Sequence, residues 1–265
     1  MRPYTGFAAF YDRFMEDIPY DQWCARIIRK LRAHGIEDGL VLELGCGTGT
    51  MTEKLSDAGY DLIGVDASEE MLSAAMEKRG DRNILYLEQD MRSFELYGTV
   101  RAVVCVCDAI NYITDRADLV QVFRLVNNYL DPGGLFLFDF NTPGEYSREE
   151  RVSYADECGG IYLIGRNEYS EKDRLNEHTV TFFVPEEEEE EIYVRIEETH
   201  VQRAYTPEEM KEALAEAGLV FLSAENADGD DPGREAEGPE EDLFAGRAET
   251  GMRRCLITAA EHGKS

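Results

Sequence analysis

Basic residues are scarce in this chain of 265 residues. It carries 27 lysines and arginines against 55 aspartates and glutamates, which gives a formal net charge of −28. Nucleic acids and anionic membrane surfaces are bound through clustered lysine and arginine side chains. The charge balance therefore disfavours a nucleic-acid or membrane partner, although it says nothing about the fold.

Long apolar runs are missing as well. No stretch approaches the roughly 18 apolar residues of a membrane-spanning helix. The first twenty residues hold no continuous apolar segment, because Asp12, Glu16 and Asp17 interrupt them, so we expect no secretory signal peptide. We expect a cytoplasmic protein that is a monomer or a homodimer.

Cysteines are few and scattered, and the chain is large enough to fold without disulfides. Cys105 and Cys107 fall on one predicted strand, which would place both thiols on one face. We expect reduced thiols and no metal site. Two acidic tracts, residues 186–191 and 225–242, are interpreted as a solvated hairpin tip and a surface loop; a cation site or a docking segment is the alternative.

The hydrophobic pattern predicts an aromatic helix over residues 4–33, followed by short apolar runs that alternate with helical periods. Ser68 is the predicted N-cap of one helix, and the segment "DPGG" is a predicted turn before a fifth strand. Such alternation predicts an α/β fold, a mostly parallel sheet with helices on both faces.

The pattern changes at residue 141. Residues 141–205 contain no convincing helix and have alternating stretches typical of antiparallel strands. A helix returns at Thr206, which begins a capping box with Glu209. We therefore expect a core made of residues 1–140 and 206–265, with residues 141–205 inserted as a small antiparallel sheet.

The stretch "VLELGCGTGT", residues 41–50, predicts a strand that ends in a glycine-rich turn. Its order is G-x-G-x-G, not the G-x-G-x-x-G of a dinucleotide site, and no G-K-[ST] follows as in a phosphate-binding loop. Glu43 lies two residues before the first glycine, and its negative charge would repel a phosphate group. The turn therefore favours a ligand with positive charge or amine donors over a nicotinamide dinucleotide.

Acids follow the other predicted strands. Asp66 lies twenty-one positions after Gly45, where a carboxylate can accept both ribose hydroxyls, and Asp90 and Asp108 end the next two strands. Carboxyl ends of parallel strands line the crevice in which open α/β sheets bind ligands. The pattern indicates a nucleoside with a cationic tail and no phosphates.

These motifs resemble the class I S-adenosylmethionine-dependent methyltransferases, through "ELGCGTG", "GVDASEEML", "EQDM", "CDAINYI" and "LDPGGLFLFDF". The segments "FAAFYDRFMEDIPYDQW" and "EETHVQRAYTPEEMKEALAEAGL" resemble a small-molecule subgroup with an antiparallel sheet inserted after the fifth core strand. The resemblance implies a Rossmann-like, seven-stranded sheet and S-adenosylmethionine as cofactor. The expected cofactor-binding residues are Tyr11, Tyr20, Trp23, Glu43, Gly45, Cys46, Gly47, Asp66, Ala67, Met71, Gln89, Asp90, Met91 and Asp108.

The expected function is in-line methyl transfer to a small-molecule acceptor. A base is needed only if the acceptor loses a proton, so the catalytic candidates stay open: Tyr11, Tyr112, His200 and Arg203. His200 could equally be a surface histidine, and Arg203 could pair with nearby glutamates. The alternatives are a nucleic-acid methyltransferase and a cofactor-binding partner protein without transferase activity.

Overall fold

The structure, a computed structural model, describes residues 8–147, 153–186, 189–227 and 252–264. Seven strands form the core sheet: β1 (Leu40–Leu44), β2 (Asp61–Asp66), β3 (Ile84–Glu88), β4 (Val100–Cys105), β5 (Leu130–Asn141), β10 (Leu219–Asn226) and β11 (Arg254–Glu261). Their order is β10-β11-β5-β4-β1-β2-β3, and only β11 runs against its neighbours. The mostly parallel Rossmann-like sheet is confirmed. Its strand order reverses between β1 and β4, the position at which such sheets bind ligands.

Helices cover both faces of this sheet. They are α1 (Ala8–Phe14), α2 (Tyr20–Ala33), α3 (Thr50–Asp57), α4 (Glu69–Lys78), α5 (Arg116–Tyr129), α6 (Pro143–Tyr146) and α7 (Pro207–Glu216), with a 3₁₀-helix at Ala109–Tyr112. On one face, Ile27 and Leu31 of α2 pack with Leu55 of α3. On the other face, Phe123 of α5 packs with Leu214 of α7. All five side chains are almost fully buried, and each contributes about 1.5–3 kcal/mol.

A second, antiparallel sheet follows β5. Its strands β6 (Ser153–Cys158), β7 (Ile161–Ser170), β8 (Leu175–Glu186) and β9 (Glu189–Arg203) are adjacent in chain order. Side chains of β7 alternate between buried and exposed, so one face points inward. That face packs against α1, where the Phe14 and Phe182 ring centroids are 6.0 Å apart. The inserted antiparallel sheet is thereby confirmed, with α1 between it and the core.

Asn111 joins the two ends of this insertion. Its side-chain Nδ2 donates to the carbonyl of Asn141 at 3.0 Å and to that of Arg203 at 2.7 Å. Its Oδ1 accepts from the Asn141 amide at 2.9 Å. Asn111 is fully buried, so the strand that leaves the core and the strand that returns to it are held together at one interior point.

The predicted N-terminal caps of two helices are confirmed. The Ser68 hydroxyl accepts from the Met71 amide, and Thr206 and Glu209 form the complete capping box. The acidic tract at 186–191 lies at the β8–β9 connection, where Glu186 pairs with Glu189, as expected of a hairpin tip. Residues 187 and 188, and residues 228–242 of the second tract, lie outside the described residues.

Other predictions were wrong in detail. A single helix was expected over residues 4–33, but the structure has two helices, which are separated by a non-helical segment between Phe14 and Tyr20. Residues 4–7 lie outside the described residues. The "DPGG" segment belongs to β5, where the register with β4 shifts between Val100 and Ala102. The insertion also contains a strand, β6, and a one-turn helix, α6, that the sequence pattern did not predict.

Strand β4 is shorter than expected, which changes two interpretations. Cys105 ends the strand and is buried, whereas Cys107 follows it with φ of 59°, so the two thiols do not share a strand face. Asp108 lies three residues beyond the strand, also in the left-handed region with φ of 50°. Asp90 likewise lies two residues beyond the end of β3.

Candidate cofactor and acceptor site

A cavity of about 560 Å³ opens at the carboxyl ends of β1, β2, β3 and β4. Its volume falls within the roughly 300–1,000 Å³ typical of small-molecule sites. Most of the residues predicted to bind cofactor line it: Tyr11, Tyr20, Glu43, Gly45, Cys46, Gly47, Asp66, Ala67, Met71, Gln89, Asp90 and Met91. Trp23 and Asp108 are not among the lining residues.

The glycine-rich turn follows β1 and forms one wall. Its first glycine has φ of 70°, and a Cβ added there would lie 2.6 Å from the Cβ of Ala109, so Gly45 is required for both conformation and space. Gly47 has φ of 53° and nothing within 4 Å of an added Cβ. The backbone at Gly47 therefore faces open space in the cavity and can approach a ligand closely.

Asp66 is held at the cavity by backbone amides. Its Oδ2 accepts from the Gly47 amide at 2.8 Å, and its Oδ1 accepts from the Ser68 amide at 2.9 Å. Burial raises the pKa of Asp66, while these amides oppose the rise. Each carboxylate oxygen has a further lone pair available, so the side chain can accept two hydroxyl groups of a ligand.

Glu43 is a buried acid in strand β1, with 3% of its surface exposed. Its Oε2 accepts a hydrogen bond from the Thr52 hydroxyl at the start of α3. Burial raises the pKa of Glu43 to about 8, with a smaller rise from Asp66 and an opposing effect from Thr52. The side chain thus holds a proton readily until a cationic group approaches it.

The opposite wall lies beyond β3. Asp90 forms an ion pair with Arg92, whose Nη2 is 2.5 Å from Oδ2, and this hydrogen-bonded pairing lowers the pKa of Asp90. Gln89 is held to the next loop by its side-chain amide, whose Oε1 accepts a hydrogen bond from the Glu95 backbone amide at 2.7 Å. Asp90 and Gln89, both expected to bind the cofactor, therefore have protein partners, and Arg92 shares the cavity with them.

The N-terminal helix covers the cavity. Tyr11 of α1 and Tyr20 of α2 line it, and burial, with contributions from Cys107 and Tyr11, raises the pKa of Tyr20. Next to Tyr11, the Asp12 carboxylate accepts from the Thr48 hydroxyl at 2.6 Å and lies 2.6 Å from the Nζ of Lys78. One acid therefore ties α1 to the glycine-rich turn and to α4.

Asp108 turns away from the cavity toward the inserted sheet. The amides of Cys107 and Asp108 both donate to Asp139, at 3.3 and 2.8 Å, which stabilises their left-handed backbone. The Asp108 carboxylate then accepts from the Gln202 Nε2 of β9 at 2.6 Å. Burial raises the pKa of Asp108 to about 6.

Trp23 contacts a buried ion pair. Arg254 lies with its guanidinium carbon 4.1 Å from the centre of the Trp23 ring, and its Nη2 is 2.8 Å from the Oδ2 of Asp139. Asp139 is the same acid that accepts from the amides after β4. Trp23 therefore belongs to a polar cluster that supports the strand ends, one layer away from the cavity lining.

The catalytic candidates separate into two groups. Tyr112 lines the cavity, and its hydroxyl is 3.1 Å from the Nδ1 of His200, a buried residue of β9. His200 is therefore not a surface histidine, and burial lowers its pKa to about 4. Arg203 points elsewhere: its Nη1 donates to the Thr114 carbonyl at 3.4 Å, and its guanidinium carbon lies 5.4 Å from the Tyr205 ring centroid.

Several site residues were missed from the sequence. Thr48, Ser68, Arg92 and Cys107 line the cavity, and Asp12 and Lys78 fasten its cover. Thr48, Ser68 and Cys107 lie within the motifs "ELGCGTG", "GVDASEEML" and "CDAINYI", so their positions in those motifs could have indicated them. Nothing in the local sequence signals the pairing of Asp12 with Lys78. Among the described residues, no cluster of three or more His, Cys, Asp or Glu side chains could hold a metal ion, and no helix is long and apolar enough to cross a membrane.

The sequence profile of a methyltransferase domain matches residues 41–134. YqeM of Bacillus subtilis (strain 168), named as a presumed methyltransferase, is 37% identical over 220 residues, which cover 82% of this chain and 86% of YqeM. An S-adenosylmethionine-dependent methyltransferase from Clostridium acetobutylicum ATCC 824 superposes with a TM-score of 0.79 and 26% identity, covering 99% of this chain and 100% of that one.

The fold also matches the sugar N-methyltransferase KedS8 from Streptoalloteichus sp ATCC 53650, with a TM-score of 0.74 and 20% identity over 96% of this chain and 93% of KedS8. That coverage extends over the inserted sheet as well as the core. The glycine-rich turn and the strand-end acids thus occur in a chain whose relatives are methyltransferases over nearly its whole length. The chain belongs to the S-adenosylmethionine-dependent methyltransferase family.

Proposed function

We propose that this enzyme transfers a methyl group from S-adenosylmethionine to a small-molecule acceptor by in-line displacement. The observation that carries the proposal is the composition of the cavity. One end is lined by the glycine-rich turn and strand-end acids, and the other by the aromatic side chains of Tyr11 and Tyr112 beneath the inserted sheet. Such a cavity has room for a nucleoside and, beside it, a compact second reactant.

The residues at the first end fit the cofactor. Asp66 offers two carboxylate oxygens to the ribose hydroxyls, and the open side of Gly47 lets the cofactor lie against the backbone. Met71 and Met91 supply apolar surface for the adenine ring. Glu43 provides a buried acid for the cationic methionine end.

The cofactor supplies an electrophilic methyl group on a sulfonium that leaves as a neutral thioether. The protein therefore has to orient the acceptor and keep water out, and positioning contributes up to about 7–11 kcal/mol. Helix α1, whose Tyr11 lines the cavity and whose aromatic residues pack against the inserted sheet, performs the exclusion. Asp108 and Trp23, which lie one layer behind the lining, hold that cover and the strand ends in place.

A small acceptor is favoured by the size of the cavity and by the net charge of the chain. The cavity holds about 560 Å³, the size of a small-molecule site, and the net charge of −28 opposes a nucleic-acid acceptor. KedS8, which has the same architecture, is described as a sugar N-methyltransferase. Amines of small polar molecules, amino sugars among them, are therefore the first acceptors to assay.

The test has two stages. Titration calorimetry with S-adenosylmethionine, S-adenosylhomocysteine and NAD should give measurable binding of the first two ligands only. Formation of S-adenosylhomocysteine is then followed with a panel of amino sugars, other amines, alcohols and transfer RNA. Turnover with transfer RNA alone would favour the nucleic-acid alternative, and tight cofactor binding without turnover across a broad panel would favour a cofactor-binding partner protein.

A further inference from the structure

A tyrosine of the core and a histidine of the inserted sheet meet at the acceptor end of the cavity. Tyr112 ends the 3₁₀-helix after β4, and His200 lies in β9 with 3% of its surface exposed. The hydroxyl oxygen is 3.1 Å from Nδ1, and the ring planes are inclined at 76° with centroids 6.0 Å apart. The contact joins a residue that lines the cavity to one that lies behind it.

A buried acid lies on the other side of the imidazole. Glu198 is two residues earlier in β9 and so on the same strand face, with 3% of its surface exposed. Its Oε2 is 3.6 Å from the Nε2 of His200. A buried carboxylate is stabilised by a donor directed at it, which favours a proton on Nε2 and leaves Nδ1 to accept from the Tyr112 hydroxyl.

A second histidine faces His200 from the adjacent strand, and a tyrosine of β6 contacts that second histidine. His178 of β8 is paired directly with His200, with ring centroids 6.1 Å apart. The Tyr154 hydroxyl of β6 is 3.1 Å from the Nε2 of His178, and 41% of Tyr154 is exposed. Neither His178 nor Tyr154 lines the cavity. His178 has a tyrosine partner, as His200 does, but this tyrosine cannot reach a ligand in the cavity, so the pair serves as a control.

We propose that Tyr112, His200 and Glu198 form a relay that removes a proton from the methyl acceptor. This rests on the proposed function and narrows it to acceptors that carry an N–H or O–H proton. The acceptor's lone pair forms the new bond to the methyl carbon, and the electron pair of the broken sulfur–carbon bond goes to sulfur. The acceptor proton passes to the Tyr112 oxygen, while the tyrosine's own proton passes to His200 Nδ1.

The order of the three groups suits this transfer. A phenol oxygen can donate one hydrogen bond and accept others, so Tyr112 can bind the acceptor proton while it donates to His200. Burial keeps His200 unprotonated near neutral pH, since its pKa falls to about 4, and His200 is thus ready to accept. The imidazolium formed during transfer is stabilised by Glu198, the role that a carboxylate has behind a catalytic histidine.

The relay can be tested without an acceptor. The chain has four histidines, so their ring ¹⁵N chemical shifts can be assigned in the intact protein with S-adenosylhomocysteine bound, using His178→Gln and His200→Gln. We expect His200 to be neutral with the proton on Nε2, and Glu198→Gln to reduce that preference. A proton on Nδ1 would overturn the proposal, because Nδ1 could not then accept from Tyr112.

Turnover supplies the second test once an N–H or O–H acceptor is known. Tyr112→Phe and His200→Gln should each lower kcat by about 10²- to 10⁴-fold, the usual contribution of a positioned acid or base. The Kd for S-adenosylhomocysteine should stay within twofold. The matched controls His178→Gln and Tyr154→Phe should keep kcat within twofold. An unchanged kcat in His200→Gln, or an equal loss in His178→Gln, would refute the relay.

The two experiments separate the relay from the proposed function. If no acceptor is methylated, the proposed function fails, and the tautomer of His200 still shows whether the relay geometry exists. If methylation proceeds while the His200 tautomer is Nδ1–H, the function stands and the relay is wrong.

Discussion

The carboxylate of Asp12 in α1 lies 2.6 Å from the Nζ of Lys78 in α4, and both groups meet the hydroxyls of Thr48 and Thr50. Asp12 is adjacent to Tyr11, which lines the cavity. The contacts of Asp12 that attach helix α1 to α4 and to the glycine-rich turn therefore also hold Tyr11 over the cavity. Loss of the Asp12 contacts should therefore weaken the binding of a ligand in the cavity.

Replacement of Asp12 by Asn should weaken binding of S-adenosylhomocysteine. Half-exposed ion pairs contribute about 0.2–1 kcal/mol, and the hydroxyl contacts to a charged group add to this, so we expect roughly a 3- to 10-fold rise in Kd by calorimetry. The difference from wild type should shrink as salt is added. Asp21→Asn is the control, since Asp21 pairs with Lys54 at the surface and does not line the cavity. Equal affinities for Asp12→Asn and wild type would contradict the attachment.

Asp66→Ala should weaken cofactor binding more strongly. The variant removes the carboxylate that we propose accepts two ribose hydroxyls, and hydrogen bonds to charged groups contribute about 1.5–3 kcal/mol, so Kd should rise roughly 10- to 100-fold. Asp66→Asn should fall between, because the amide retains one acceptor oxygen. Asp61→Ala, at the exposed opposite end of β2, is the control. If Asp66→Ala binds S-adenosylhomocysteine like wild type, the ribose lies elsewhere.

Glu43 should make the ligand-free protein less stable as pH rises. Its folded-state pKa of about 8 lies above the ordinary glutamate value of about 4.3, so the folded protein binds the proton more tightly. Its favourable contribution is present below the unfolded pKa and is lost as pH rises from about 4 to 8.

Glu43→Gln keeps the size of the side chain and removes the titration. Urea unfolding should show that the variant gains stability relative to wild type between pH 5 and pH 8. Glu95→Gln, at an exposed position, should show no such trend. A wild-type minus variant difference that stays constant with pH would mean that Glu43 is ionised throughout.

Asn111→Ala should destabilise the protein. The variant leaves two carbonyl groups and one amide without their partner in a fully buried place, and each such group costs about 1–3 kcal/mol. We expect a loss of at least about 2 kcal/mol in denaturant unfolding. Asn128→Ala, whose side chain is exposed in α5, should change stability by less than about 0.5 kcal/mol. A small effect of Asn111→Ala would show that water replaces the amide.

The core was predictable because its signals are local. A strand followed by a glycine-rich turn, a helix with an N-cap and an acid at the end of β2 all lie within short windows of the sequence. The break between α1 and α2 also had a local cause that was overlooked, since Pro19 disfavours a helical residue before it. Motif matching therefore identified about half of the residues that line the cavity.

The polar contacts behind the lining could not be predicted in this way. Asp108 was assigned to the cofactor because it follows β4, but its direction depends on a left-handed backbone that residues other than glycine seldom adopt. That backbone is stabilised by Asp139, and the carboxylate partner Gln202 is 94 positions away in sequence. The meeting of Tyr112 with His200 depends in the same way on how the inserted sheet folds back over the core.

The side-chain amide of Asn111 also affects how much the length of the inserted segment matters for stability. Asn111 holds together the strand that leaves the core and the strand that returns to it. The inserted segment from residue 141 to residue 203 is therefore a loop whose two ends are fixed next to each other. Doubling the length of such a loop costs only about 0.6 kcal/mol of chain entropy. A change in the length of the inserted segment should therefore cost the core little stability, as long as Asn111 still holds the two ends together.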